Sequence, residues 1–292
     1  MKSFLIILAS CLWGITGLFV SALTADGYSL VHIIAVRSAV TAAALALLLA
    51  VTDRKALRVS PRDLPIFAGM GIASFAAFNF FYFASIQRIG MGPAAVLLYT
   101  APVFIMIMSR AIYPEKLTAA KLTAVPIAFA GCAAVSMSGG SGGFDAAGVI
   151  FGIASGFCYG LYSVIGRTAL QKYRPLTVTL WTFIFSAAAT VPVAVITGGW
   201  PALTLPRAGM LLLMAMVSGA LTYAMYTYGL SGTEPTRASV LATFEPAVAA
   251  VCGMVFRHEP VTVLSVGGII LVLAAVVIIS VGGRSEKAAD SR

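Results

Sequence analysis

Apolar residues along this chain neither alternate nor recur on one helix face. They run in near-continuous stretches, and the short segments between hold almost all the charge. Crossing the hydrocarbon of a bilayer takes about 20 apolar residues in a helix. Stretches of that length lie near 3–22, 29–51, 63–86, 91–112, 117–137, 146–168, 175–197, 206–230, 235–256 and 260–281. The pattern predicts an all-α integral membrane protein with ten transmembrane helices. Composition excludes a soluble alternative, because 60% of the 292 residues are hydrophobic and only 10% are charged, whereas a soluble domain carries about 25% charged residues.

Charge adds orientation. A formal net charge of +9 would suggest nucleic acid in a soluble protein. Here the basic residues cluster between the apolar stretches, the pattern that orients a membrane protein, and no nucleic-acid partner is implied. If Lys2 is cytoplasmic, that side also receives Arg54, Lys55, Arg58, Arg62, Arg110, Lys116, Lys121, Arg167, Lys172, Arg174, Arg237, Arg284, Lys287 and Arg292. The outer side receives Arg88, Arg207 and Arg257. Fifteen against three is a positive-inside bias that a shift of one helix would destroy. The expectation is a bacterial inner-membrane protein with both termini cytoplasmic. Leu8-Ala9-Ser10-Cys11 has the form of a lipoprotein processing site, but the apolar run before it is very short and continues to about Ala22, as a first spanning helix requires.

The two halves resemble each other. Leu97-Leu98-Tyr99-Thr100-Ala101-Pro102 aligns without gaps with Leu241-Ala242-Thr243-Phe244-Glu245-Pro246. The same offset pairs Glu115 with Glu259, Tyr82 with Tyr226 and Thr118 with Thr262, and a slip of two residues matches Trp13-Gly14 with Tyr159-Gly160. A duplication is expected: a five-helix repeat over 1–138, a Gly/Ser-rich linker at 139–145, a second repeat over 146–283 and a cytoplasmic tail at 284–292. Five spans per half force the second half into the membrane upside down. Inverted repeats place a substrate site near the midplane, where the halves meet.

Trp13-Gly14 in the first span, Arg37 in the second, Pro102 within the fourth, Glu245-Pro246 in the ninth, and Glu115 and Glu259 opening the fifth and tenth together resemble the EamA-type members of the drug/metabolite transporter superfamily. The resemblance reaches to about Gly283. It implies an inner-membrane carrier working by alternating access, often an exporter of amino acids or related metabolites.

Only Arg37 and Glu245 are formally charged within the interior of the spans. A charge at a helix centre costs about 2.5–3.5 kcal/mol on insertion scales, so each is expected to have a partner or a function. Each lies about 12 Å from its own surface, leaving about 6 Å of depth between them. One reading is a structural ion pair between the halves, provided that their helices are adjacent. The other is a substrate site in which Arg37 receives a carboxylate and Glu245 an ammonium or a coupling proton. Glu245, the only carboxylate deep in a span, is the expected proton-coupling residue. The repeat places Phe183 opposite Arg37 and Ala101 opposite Glu245, so the charges mark where the halves have specialised.

Pro102 and Pro246 are expected to kink their helices, since each removes a backbone hydrogen bond. Trp13, Tyr82, Tyr99, Tyr159, Tyr162, Trp181, Tyr223 and Tyr226 carry polar tips inside the spans. The deeper of them, Trp13, Tyr82, Tyr99, Tyr159 and Tyr226, joined by Asn79, are candidates for a cavity wall that grips a substrate. Gly148, Gly152, Gly156 and Gly160 form a stripe that lets another helix approach. Glu115 and Glu259 suit helix starts. Cys11, Cys132, Cys158 and Cys252 lie in apolar runs without metal-site spacing.

Together with the resemblance, which implies export, these residues lead to the expectation of a proton-coupled secondary transporter of small polar metabolites, amino acids or related zwitterions and amines. No phosphate loop or cofactor-binding segment is present, and no cofactor or metal is expected. Rival readings are uptake of an organic cation such as a quaternary amine, suggested by the aromatic residues, and a passive channel, which would need a continuous polar stripe. A membrane enzyme would need a His/Asp/Glu constellation, and His32 and His258 lie apart near the outer surface. In a cysteine-free background, single cysteines at Ser141 and Gly142 should react with an impermeant maleimide in intact cells. Those near Lys55, Lys172 and Glu286 should not, and labelling beside Lys172 would sink the predicted topology.

Overall fold

The computed structural model describes residues 2–137, 145–256 and 261–290, excluding the side chains of 283–290. Among them ten helices are long and apolar enough to cross a membrane: α1 (Lys2–Ala25), α2 (Leu30–Thr52), α3 (Pro61–Ile89), α4 (Met91–Ile112), α5 (Ala119–Met137), α6 (Ala146–Ala169), α7 (Pro175–Thr197), α8 (Leu205–Leu230), α9 (Pro235–Phe256) and α10 (Val263–Gly282). Their limits follow the apolar stretches closely, because backbone polar groups in lipid are satisfied most simply within one helix. The linker residues Gly139–Gly143, together with Arg257, His258 and Glu259, lie outside the described residues, as do the tail's side chains. The backbone of α10 continues helical to Asp290.

The helix ends have local causes. Ser29 accepts the His32 N–H at 3.3 Å and donates its own N–H to His32 Nδ1 at 3.4 Å, closing a reciprocal cap on α2. Asp145 caps α6 through the Ala147 N–H at 3.0 Å. Pro175 and Pro235 open α7 and α9, where a missing N–H leaves no bond unmade.

Five spans are irregular. α4 breaks after Leu98 and α9 after Ala242, in each case the residue whose carbonyl a proline four positions on, Pro102 or Pro246, cannot bond. α1 breaks at Ile15 without a proline. α3 and α8 carry π-helical turns over Gly69–Ala76 and Ala215–Leu221.

Packing is reciprocal. α5 lies along α10 and α2 along α7, α3 and α4 pack on α6, and α8 and α9 pack on α1. Replacing every helix by the one five places on returns the same pairs. Polar contacts at the helix ends fall into two sets. On the face carrying Lys2, Lys2 donates to Ser231 at 2.9 Å, Lys172 meets Asp63 at 2.8 Å and Arg174 pairs with Asp53. On the opposite face Arg88 meets Asp145 at 3.0 Å, holding that carboxyl below its usual range, and Arg207 meets Asp26 at 3.3 Å. His32 there stacks on Trp200 and donates Nε2–H to the Gly198 carbonyl at 2.8 Å, the tautomer that its cap on Ser29 also requires. Every one of these contacts joins segments that ten spans place on one side.

α5 and α10 touch through glycine. A Cβ added to Gly131 would lie 2.9 Å from the Gly268 carbonyl oxygen and 2.8 Å from the Val272 nitrogen. Gly131→Val should therefore destabilise the purified protein by about 1–3 kcal/mol through overpacking. Gly267→Ala, with nothing within 4 Å of the new carbon, should not lower the midpoint of thermal unfolding.

Candidate functional site

The helix irregularities converge on a tight central chamber, with room in this conformer for little more than a water molecule. Trp13 enters it just before the break in α1. Phe75 and Phe78 reach it from the end of the π-helical turn in α3, Tyr159 and Tyr162 from α6, and Tyr223 and Tyr226 from α8, immediately after that helix's π-helical turn. Each of the last three helices contributes residues spaced i, i+3, which share one helix face. A π turn inserts a residue and re-aims the side chains beyond it, and such turns recur at functional sites.

Tyr223 is the hub of the wall. Its ring packs edge-on against Trp13 at 5.0 Å, Phe183 at 5.0 Å, Tyr162 at 5.3 Å and Phe75 at 5.6 Å. Each such pair adds about 0.5–1.5 kcal/mol beyond its buried area. Two hydroxyls serve the wall itself: Tyr226 hydrogen-bonds to Ser163 and Tyr162 to Thr227, both at 2.7 Å. Among the described residues the hydroxyls of Tyr82, Tyr99, Tyr159 and Tyr223 make no hydrogen bond within the protein.

A second, still smaller cavity lies where the breaks of α4 and α9 face each other, lined by Tyr99, Pro102, Tyr159, Ser239 and Thr243. Tyr159 borders both spaces. Gly14 lets α1 rest on the backbone of α9, since a Cβ there would lie 2.8 Å from the Glu245 carbonyl oxygen. Gly160, its partner by sequence, lies against Ala101, the partner of Glu245. The remaining stripe glycines seat α6 on the end of α3 and on α4: Gly148 on Ile89, Gly152 on Leu97, and Gly156 on Thr100.

Arg37 and Glu245 are not among the residues that line the chamber, and their charged groups do not touch. The Arg37 guanidinium lies 4.9 Å above the Phe75 ring, and its Nε is buried without a hydrogen-bond partner. Glu245 lies within electrostatic reach of Arg37, Tyr82, Tyr99 and Tyr159. No contact within 4.0 Å joins the two charges, although each lies within electrostatic reach of the other. The cause is lateral. α2 packs chiefly on α7 and α8, and α9 chiefly on α1, α4 and α10, so equal depth does not bring the two side chains together.

Of the other candidates, Trp13, Tyr159 and Tyr226 line the chamber, while Tyr99 and Pro102 line the second cavity. Tyr82 stacks on Phe78 at 6.0 Å, outside the wall. Asn79 is spent on its own helix, donating to the Phe75 carbonyl at 2.7 Å beside the π-helical turn. Ser74, Phe75, Phe78, Tyr162, Ser163 and Tyr223 complete the wall and were not among the candidates. The i, i+3 repetition of aromatic residues was the available signal for most of them.

With this geometry in view, comparison with known proteins is informative. The profile of the EamA-like transporter family matches residues 1–137 and again 146–281. An uncharacterized transporter of Archaeoglobus fulgidus is 30% identical over 210 residues, covering 70% of this chain and 73% of the relative. A threonine/homoserine exporter, RhtA, of Salmonella typhimurium is 29% identical over 212 residues, covering 72% and 68%. A crystal structure 17% identical in sequence superposes with a TM-score of 0.83 over 97% of this chain and 96% of the other, a likeness of fold.

The wall's inner hydrogen bonds are open to a thermodynamic cycle. Tyr226→Phe leaves the buried Ser163 hydroxyl without its partner and should cost about 1–3 kcal/mol in thermal or denaturant unfolding. Adding Ser163→Ala should cost clearly less than the sum of the two single changes, whereas strict additivity would show that the pair is not coupled.

Proposed function

This chain belongs to the EamA-like transporter family, and from that premise we propose that it is a secondary active carrier exporting small zwitterions, amino acids foremost, by alternating access with proton coupling. That it is a multi-pass membrane transporter and not an enzyme follows from the ten apolar helices and from the family.

One observation carries the finer reading. Two opposite charges stand deep in the spans beside an aromatic chamber, and neither makes an ion pair or hydrogen bond within the described protein. An intramembrane charge is retained for a partner or a task. A zwitterion supplies both partners, its carboxylate bidentate on Arg37 and its ammonium facing Glu245, with the free hydroxyls of Tyr159 and Tyr223 beside it. The relative named as a threonine/homoserine exporter supports the same class. Glu245 is the coupling residue in this reading, since binding a proton there competes with binding an ammonium.

The inverted duplication is part of the proposal. Two successive matches to one family profile, the reciprocal helix pairing and the equivalent breaks after Leu98 and Ala242 support it. The basic bias toward the Lys2 face supports cytoplasmic termini. A purely cationic substrate fits the wall less well, because Arg37 already covers the Phe75 face with positive charge.

A thermal-shift screen of the purified protein against amino acids, choline and nucleosides tests the substrate class. A neutral amino acid at a hundredfold its Kd should stabilise by about 2.7 kcal/mol, and Arg37→Gln should abolish that shift. Stabilisation by choline alone would favour the organic-cation reading. In proteoliposomes Glu245→Gln should retain exchange but lose transport driven by a pH gradient, and a parent-like response to the gradient would remove Glu245 from coupling.

A further inference from the structure

Lys121 is the most buried cation among the described residues, with a side chain only 2% exposed. Its Nζ lies 2.8 Å from Glu234 Oε2, donates to the Lys116 carbonyl at 2.7 Å, and stands 3.2 Å from Glu115 Oε1 without the alignment of a hydrogen bond. Glu115 precedes α5 in the first half of the chain, and Glu234 immediately precedes α9 in the second. One ammonium thus ties the two halves together on the Lys2 face.

Buried polar atoms without a hydrogen bond crowd the same place. Beside Arg37 Nε, such atoms among the described residues are Ser109 Oγ, both Glu115 carboxylate oxygens, Thr118 Oγ1, Thr236 Oγ1 and Arg237 Nε. All but Arg37 belong to the ends of α4, α5 and α9 on the Lys2 face. Burying such groups unpaired is unfavourable, and water admitted by opening would satisfy them. The ion pairs of Lys121, that to Glu115 Oε1 included, favour closure, and the groups with neither a hydrogen bond nor an ion pair favour opening.

The segment between this cluster and the substrate site is a short rigid element. Pro235–Ala242 is buried at every residue except Arg237, begins next to Glu234, and ends at the break at Thr243, two residues before Glu245. The sequence counterpart in α4, Met91–Leu98, is buried only at Ala94 and Leu98. At the counterparts of Glu234 and Lys121 stand Gly90 and Ser265, and Ser265 bonds within its own turn to Thr262. The Lys2 end of α9 is therefore more deeply buried in the protein than the matching end of α4.

We propose that Lys121 is a positioning residue for transport: with Glu115 and Glu234 it latches the Lys2 face shut and acts through Pro235–Ala242 on Glu245. Among the described residues the latch has no counterpart on the opposite face, and it biases the carrier toward the conformer open there. The inference rests on the alternating-access reading. Substrate counterflow by the parent in proteoliposomes tests that reading separately, and the labelling below tests the latch whatever the counterflow result.

The test uses the full chain, cysteine-free, in lipid nanodiscs with both faces open to a maleimide. One reporter replaces the buried Ser239 of α9 with cysteine, and the other replaces its counterpart Ala95 in α4. Lys121→Gln should raise the labelling rate at the Ser239 reporter by about tenfold, the effect of losing a charge-assisted contact, and lower it at the Ala95 reporter. Glu234→Gln, at a more exposed residue, should produce the same opposite shifts in a protein that folds even if Lys121→Gln does not. Lys121→Arg should restore much of the parent ratio. Unchanged labelling at Ser239, or a parallel rise at both reporters as general loosening would give, overturns the latch.

Discussion

In a bilayer no water is at hand to satisfy a peptide group, and this constraint governs where the chain departs from regular helix. The spans that do depart are α1, α3, α4, α8 and α9, and each lines the central chamber or the second cavity. α6, which also lines both, approaches its neighbours through a row of glycines instead. Broken backbone is tolerated where protein surrounds it, and it is there that side chains can be re-aimed toward a solute. The chamber and the irregularities are two aspects of one solution.

Glycine makes the arrangement compact. Gly14 brings the broken part of α1 onto the carbonyl of Glu245, and Gly156 and Gly160 bring α6 onto the break of α4. Small residues allow helix backbones to approach in lipid, where burial of apolar surface supplies no drive to associate. The same contacts couple α1 and α6 to the segments that an alternating-access carrier would have to move.

Arg37 and Glu245 illustrate how a membrane interior holds charge without pairing it. The planar guanidinium rests on the Phe75 ring, a favourable cation–π placement. Glu245 sits among tyrosines whose hydroxyls are otherwise unused. On the proposed reading, a direct pair would neutralise the site and weaken its hold on a zwitterion. At the Lys2 face the logic is reversed: Lys121 is held among the Glu115 and Glu234 carboxylates and the Lys116 carbonyl.

The ten spans and their approximate ends were legible in the sequence, because the length of an apolar run is a local property that the bilayer thickness reads directly. The breaks in α4 and α9 were legible from Pro102 and Pro246, since a proline acts on the carbonyl four residues before it whatever the surroundings. Trp13, Tyr159 and Tyr226 were recognisable as buried aromatics with polar tips. The break at Ile15 and the π-helical turns of α3 and α8 were not legible, for they depend on neighbouring helices. Nor was the role of Asn79, whose amide closes on its own helix. The sequence determined depth, and with it the isolation of Arg37 and Glu245 from water. Only the tertiary structure decided direction within the membrane plane: that Arg37 turns to Phe75, that Tyr223 centres the wall, and that Lys121 bridges Glu115 and Glu234. Depth follows from position along one helix, whereas lateral contact depends on which helices pack together, information shared among segments far apart in the chain.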